Sequence, residues 1–430
     1  MTVKMKVKEK NMLEKMTTEM KVICALIGVL VVLSVVLIVT GKDGSKNSPK
    51  VKETVNLTKD EKKEKETEPE TIPIAIDETD DDSKAEEEAE KMLEKLSLHD
   101  KICQMFIVTP EQLTGAGVAT MAGDMTKTSI EKYPVGGLCY FTQNIEDEDQ
   151  IKEMISTTQD YIKDVVDVPL FIAVDEEGGS VARVCEALGT TKLDDMYSYK
   201  DEGTDTARDN AKTIASDISK YGFNLDFAPV CDVFADESKT AIGSRCYSDS
   251  YEGAASLIEN AVKGFDDGGV MCTLKHFPGL GETDADTHDG KVSSDATLEE
   301  LADAQYLPFE SGINAGAPFV MVSHLTMNEV DEAPASLSYT MVTQELREEL
   351  KFDGVVITDA MNMGAITNNY STSEATLAAI KAGVDIVLMP SDLGSAISAV
   401  ESAVEDGTIT EDRIDESVLR ILTAKCKYLK

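Results

Sequence analysis

Carboxylates, imidazoles and cations recur in five short stretches of this 430-residue chain. Asp175-Glu176-Glu177-Gly178-Gly179 leads to Arg183, and Asp232 precedes Ile242-Gly243-Ser244-Arg245. Lys275-His276-Phe277-Pro278-Gly279 runs on to Asp284, Asp286 and His288, and Ser323-His324 and Thr358-Asp359 follow. Three of the four histidines in the chain fall in these stretches. Brought together, such side chains support proton transfer by a general acid and base, or attack by a nucleophile. They do not read as a metal centre. The acidic loop 284–290 is out of register for calcium, because Gly290 comes one position late. Cys272 and His276, four apart on a strand, do not converge as zinc ligands. No Gly-x-Gly motif with the spacing of a phosphate cradle precedes a helix. Neither a metal nor another cofactor is expected.

The elements that must carry these residues alternate. Eight apolar, β-rich runs occur at 105–108, 137–141, 170–174, 225–228, 270–274, 319–322, 355–357 and 386–389. Between them lie amphipathic segments, such as the stripe Ile151, Met154, Ile155, Ile162 and Val165 and the stripe Ala207, Ala211, Ile214 and Ile218. Near-continuous apolar strands separated by helices indicate a parallel sheet covered on both faces. Eight units predict an α/β fold of the (β/α)8 TIM-barrel type, with a doubly wound open sheet as the alternative. The polar stretches all follow strand ends, which in a barrel form one rim.

The first ninety residues differ in kind. Residues 1–21 hold six Lys and three Glu, and residues 22–39 are free of charge. A run of that length approaches the thickness of a bilayer core. Residues 22–40 are therefore expected to form one transmembrane signal anchor. The Lys-rich segment 1–21 would lie in the cytoplasm and the rest outside. A cleaved signal peptide fits less well, since its apolar region is shorter and ends in small residues. Residues 41–90 carry nine basic and seventeen acidic groups with few large apolar ones, and predict a disordered linker. Its acidic end, from Asp77, can merge into the first helix of the domain at 91–430. A net charge of −39 argues against nucleic acid as a partner. Cys103, Cys139, Cys231 and Cys272 lie in or beside strand-like runs and are expected to be buried thiols.

At these motifs the sequence resembles glycoside hydrolase family 3, in its β-N-acetylglucosaminidase branch. The resemblance spans about residues 96–425. It is carried by Lys275-His276-Phe277-Pro278-Gly279-Leu280-Gly281 with Asp286-Thr287-His288, by Asp175-Glu176-Glu177-Gly178-Gly179 with Arg183, and by Asn224-Leu225-Asp226-Phe227-Ala228-Pro229-Val230. Ile242-Gly243-Ser244-Arg245, Ile357-Thr358-Asp359 and Ala382-Gly383-Val384-Asp385 continue it. It implies that Asp359 is the carboxylate nucleophile and that His288 is the general acid/base, partnered by Asp286. It implies that Asp175, Arg183, Arg245, Lys275 and His276 hold a terminal N-acetylglucosamine. On the residues alone, Asp359 also reads as a helix cap, Arg245 and Lys275 as ion pairs with rim carboxylates, and His276 as a core hydrogen-bonding residue. Leu280 stands where the family usually has His. The implied activity is exo-acting hydrolysis with retention of configuration, on peptidoglycan fragments or related β-linked oligosaccharides. A β-glucosidase and a catalytically silent wall-binding barrel are the alternatives.

Overall fold

The structure, a computed structural model, describes residues 78–234, 242–280, 283, 287 and 290–429. Eight strands follow one another around a barrel: β1 (Phe106–Val108), β2 (Gly137–Cys139), β3 (Phe171–Val174), β4 (Leu225–Asp226), β5 (Met271–Phe277), β6 (Phe319–Val322), β7 (Val355–Thr358) and β8 (Val387–Leu388). Each pairs in parallel with its neighbour from β1 to β7. β8 pairs back onto β1 through Phe106↔Val387 and Ile107↔Leu388. A parallel bridge, Ile357↔Ile386, joins β7 to the residue before β8. The sheet therefore closes, which excludes the open doubly wound alternative. Closure leaves no strand edge, and every residue of the eight strands is buried.

Helices cover the outside. Helix Glu148–Val166 starts at Asp147, whose carboxylate accepts from the amides of Asp149 and Gln150, and buries Ile151, Met154, Ile155 and Ile162. Val165, read as part of that stripe, is exposed. Helices Thr204–Ser219 and Tyr251–Asp267 pack closely because Gly264 lets the Arg208 carbonyl approach; a Cβ there would meet that oxygen at 2.2 Å.

The folded unit includes residues expected in the linker. A helix spans Glu78–Leu93 and lies on helix Glu411–Tyr428. Ala85 and Ala89 are buried in that contact region, and Lys427 Nζ reaches Asp82 Oδ1 at 2.7 Å. Two small residues one turn apart form a narrow apolar stripe that mean composition hides. Residues 1–21, the run 22–40 and residues 41–77 lie outside the described residues. Among the described residues no helix is long and apolar enough to cross a membrane.

The end of the barrel opposite the rim is closed by charge. Asp385, fully buried just before β8, accepts from Val356 N (2.9 Å), Ser417 Oγ (2.6 Å), Arg420 Nη1 (3.2 Å) and Arg347 Nη2. Nearby, Lys425 donates to Gln104 Oε1 (2.7 Å) and Gly136 O (2.8 Å), over the ring of Phe171. Asp385→Ala strands two guanidinium groups without their shared anion. It is expected to lower unfolding free energy by about 3–5 kcal/mol, measured by urea titration.

Candidate active site

The residues after the strand ends enclose a cavity of about 190 Å³. Asp175 follows β3 directly. The chain stays extended through Glu176–Gly178, so side chains alternate, and Asp175 and Glu177 share the cavity face while Glu176 points away. The Glu176 carboxylate accepts from Val184 N (2.7 Å) and Cys185 N (2.9 Å), in the first turn of helix Arg183–Leu188. That cap fixes Arg183, whose Nε is buried without a hydrogen-bond partner among the described residues. Its guanidinium lies 6.0 Å from the ring centre of Phe141, which lines the same cavity.

β5 runs three residues past the end expected from the sequence, to Phe277, which stacks on Tyr306 and meets Phe309 edge-on. Its pairing with β6 shifts register between Leu274 and Phe277. Such an irregularity re-aims side chains, and here both Lys275 and His276 line the cavity.

Charges balance tightly around these positions. Lys275, 2% exposed, donates to Asp175 Oδ1 (2.7 Å) and lies 2.6 Å from Glu177 Oε1. Arg245 holds Glu177 with two parallel bonds, Nε to Oε2 at 2.8 Å and Nη2 to Oε1 at 2.7 Å. Burial alone pushes the Glu177 carboxyl up, but Lys275 and Arg245 outweigh it and bring it down to about 2. Burial likewise disfavours the Lys275 ammonium, yet Asp175 and Glu177 raise its pKa above the ordinary lysine value. Glu176, one residue away, shows the opposite result. Burial dominates over its two amide bonds and Arg183, and the carboxyl is pushed up to about 7. Beneath it, Asp226 Oδ1 accepts from Glu176 N (2.9 Å), and burial holds this carboxyl well above its usual range.

His276 Nδ1 meets Asp232 Oδ2 at 2.7 Å. Asp232 also accepts the main-chain N–H groups of His276 and Leu280. Leu280 is buried and lines the cavity, so the position usually held by His is an apolar wall here. Asp359 directly follows β7, with its own amide on Val322 O (2.9 Å) and Oδ1 accepting from Ala360 N (2.7 Å). Burial raises its carboxyl, but His276, His324, the Ala360 amide and Lys275 together hold it below the ordinary value. It is an anion at neutral pH. His324 is buried, with Nε2 on Ala360 O (3.0 Å) and Nδ1 on Ser336 Oγ (2.8 Å).

Asp175, Arg183, Arg245, Lys275, His276 and Asp359 thus line one cavity. The ion-pair reading and the site reading of Lys275 and Arg245 coincide. Asp286 and His288 lie outside the described residues. Thr287 between them is buried and lines the same cavity, and its carbonyl accepts from Ala365 N at 3.1 Å. Sequence reasoning did not give roles to Glu177, Asp232 or His324. The two-residue spacing of Asp175 and Glu177 on extended chain was the available signal for the first. The other two fall in the polar stretches after strand ends, but nothing local in the sequence marks what each touches. Among the described residues no group of three or more His, Cys, Asp or Glu converges as a metal site. Cys103, Cys139, Cys231, Cys246 and Cys272 are free and buried. An anionic carboxylate beside paired acceptors and donors suits a neutral, hydroxyl-rich ligand and attack on an electrophilic carbon.

Residues 97–424 match the model of the glycosyl hydrolase family 3 N terminal domain. The chain belongs to glycosyl hydrolase family 3. It is 30% identical over 338 residues to beta-hexosaminidase A of Pseudoalteromonas piscicida, covering 73% of this chain and 56% of that protein. It is 32% identical over 312 residues to a beta-hexosaminidase of Idiomarina loihiensis, covering 71% and 90%. Among solved structures, a family 3 β-N-acetylglucosaminidase from Paenibacillus sp. FPU-7 superposes with a TM-score of 0.73 at 33% identity, over 78% of this chain and 63% of that one. A β-N-acetylhexosaminidase from Beutenbergia cavernae gives 0.69 at 30% identity, over 77% and 98%. The chain thus spans little more than half of the Pseudoalteromonas protein and nearly all of the Beutenbergia one.

The adjacent glutamates have opposite effects on stability. Glu177, with its folded pKa lowered from 4.5 to about 2, adds stability above 4.5 that is lost as pH falls toward 2. Glu176, raised from 4.5 to about 7, adds stability below 4.5 that is lost as pH rises through 7. In chemical denaturation across pH, Glu177→Gln is expected to flatten the acid-side loss, and Glu176→Gln the loss between 4.5 and 7.

Proposed function

We propose that this family 3 protein is an exo-acting, retaining β-N-acetylglucosaminidase. The observation that carries the reading is Asp359, held anionic on the wall of a cavity also lined by Asp175, Arg183, Arg245, Lys275 and His276. A cavity backed by the packed barrel core takes the end of a glycan more readily than its middle. The names of the relatives support the acetamido sugar as its occupant.

In the proposed reaction, an Asp359 oxygen attacks the anomeric carbon and the glycosidic C–O bond breaks. His288, oriented by Asp286, gives its proton to the departing oxygen. Water then attacks the same carbon, His288 takes a proton from it, and Asp359 leaves. Two inversions return the β configuration. Thr287 on the cavity wall supports this assignment, since it is the chain neighbour of both Asp286 and His288. An imidazole with an ordinary pKa near 6.5 both donates and accepts near neutral pH. Asp175 and the cations around Glu177 would bind the hydroxyls of the terminal sugar. Peptidoglycan fragments are the proposed natural substrates. The proposed location is the outer face of the cell membrane, with residues 22–40 as a single-pass anchor.

Full-length protein in detergent is expected to release nitrophenol from the β-N-acetylglucosaminide in preference to the β-glucoside. The first-formed sugar, read by NMR, is expected to be the β anomer. Asp359→Asn should lower kcat by at least about 10³-fold. A preference for glucoside, an α first product or a fully active variant would each overturn part of the reading.

A further inference from the structure

Asp232 is 1% exposed and reaches none of the cavity surface, yet three donors converge on it. Oδ2 takes His276 Nδ1 at 2.7 Å and the His276 amide at 3.3 Å. Oδ1 takes the Leu280 amide. A carboxylate only accepts, so its contact with His276 Nδ1 requires a proton on Nδ1, and a ring with one proton carries it there. The ring lines the cavity, and its Nε2 has no hydrogen bond to any described residue. Nε2 therefore presents a lone pair to the ligand.

We propose that Asp232 is a positioning residue that fixes His276 as the Nδ1–H tautomer, so that Nε2 accepts a hydroxyl proton of the bound sugar. The inference rests on the sugar reading of the cavity for its ligand, but on the structure alone for the tautomer. It separates two kinds of group around one ligand. Lys275 and Arg245 are donors only, both paired with Glu177, and Lys275 with Asp175 as well. In this tautomer His276 adds an acceptor, Nε2, which a lysine or arginine at this position would not provide. The same contact explains the backbone. The Leu280 amide bond on Oδ1 ties the far end of the Lys275-to-Gly279 turn to the carboxylate that holds the ring.

Asp232→Asn tests this with little change of shape. The Leu280 amide bond is the shorter of the two main-chain bonds to Asp232, so the side-chain oxygen of Asn stays on its side; the amide nitrogen then faces His276 Nδ1, and the longer His276 main-chain bond is given up. A donor there forces the opposite tautomer, Nε2–H, and the cavity loses its acceptor. With only four histidines in the chain, nitrogen-15 histidine labelling resolves each ring, and His276→Ala assigns the relevant signals. The expected result in the full chain is Nδ1–H in the wild type and Nε2–H in Asp232→Asn. Alongside it, kcat/KM on the nitrophenyl N-acetylglucosaminide should fall about 10- to 100-fold, mostly through KM. A purely structural Asp232 would lower stability without moving the proton between nitrogens. Finding Nε2–H in the wild type, or the same tautomer in both proteins, overturns the proposal. If Asp232→Asn does not fold, the wild-type tautomer alone decides. A tautomer switch without any wild-type turnover would uphold the positioning role and reject the sugar reading instead.

Discussion

Glu177 sits where water has been removed, between an enclosed ammonium and a guanidinium that is partly exposed. None of the three is stable there without the others. A lone buried charge costs several kcal/mol, and a cluster this small tolerates no missing member. The geometry of the cavity follows from that requirement. Arg245 arrives from the chain after β4, Lys275 from β5 and Glu177 from the segment after β3, so one charge balance draws three separate segments onto a common centre. Asp175 shares the Lys275 ammonium and is placed by it. The cavity is organised before a ligand enters, because these charges have already satisfied one another, while Arg183 Nε and His276 Nε2 keep unused hydrogen-bonding capacity.

A second set of contacts holds the rim at longer range. Asp195 accepts from Ser180 N (2.8 Å) and Ser180 Oγ (3.0 Å), and from Ser244 Oγ (2.7 Å), linking the loop after β3 to the turn that carries Arg245. Gly179 makes this approach feasible, since a Cβ there would lie 1.9 Å from Asp195 Oδ1. Opposite, His324 supports Ala360, whose amide supports Asp359. Carboxylates thus serve three purposes on this rim: balancing charge at Glu177, tying loops at Asp195, and standing exposed to the cavity as an anion at Asp359.

Much of this was legible in the sequence because barrels carry strong signals. Eight apolar runs matched eight strands, since each is buried on both faces and needs no alternation. The motifs after strand ends named six residues that line the cavity. What escaped was information held between distant parts of the chain. Asp232 is an ordinary loop aspartate until β5 brings His276 against it. His324 looks like a core histidine, and is one, but its neighbour carries the nucleophile candidate. The helix at 78–93 was legible only in part: the sequence allowed the acidic end from Asp77 to join the first helix, but the buried contact made by Ala85 and Ala89 lies inside an acidic stretch, which average composition reads as linker.

The pairing of β8 with β1 sets the order of assembly. The two strands are about 280 residues apart in the chain. At translation rates near 5–20 residues per second, β1 waits on the order of tens of seconds for its last partner. Throughout that interval the growing sheet presents two apolar edges, on β1 and on the newest strand. The helix that buries Lys425 against Gln104 and Gly136 is made later still. Sealing of both the sheet and its floor therefore waits until residues 387–425 have been made. A nascent chain released early would carry an intact set of cavity-facing motifs on a sheet with an open seam.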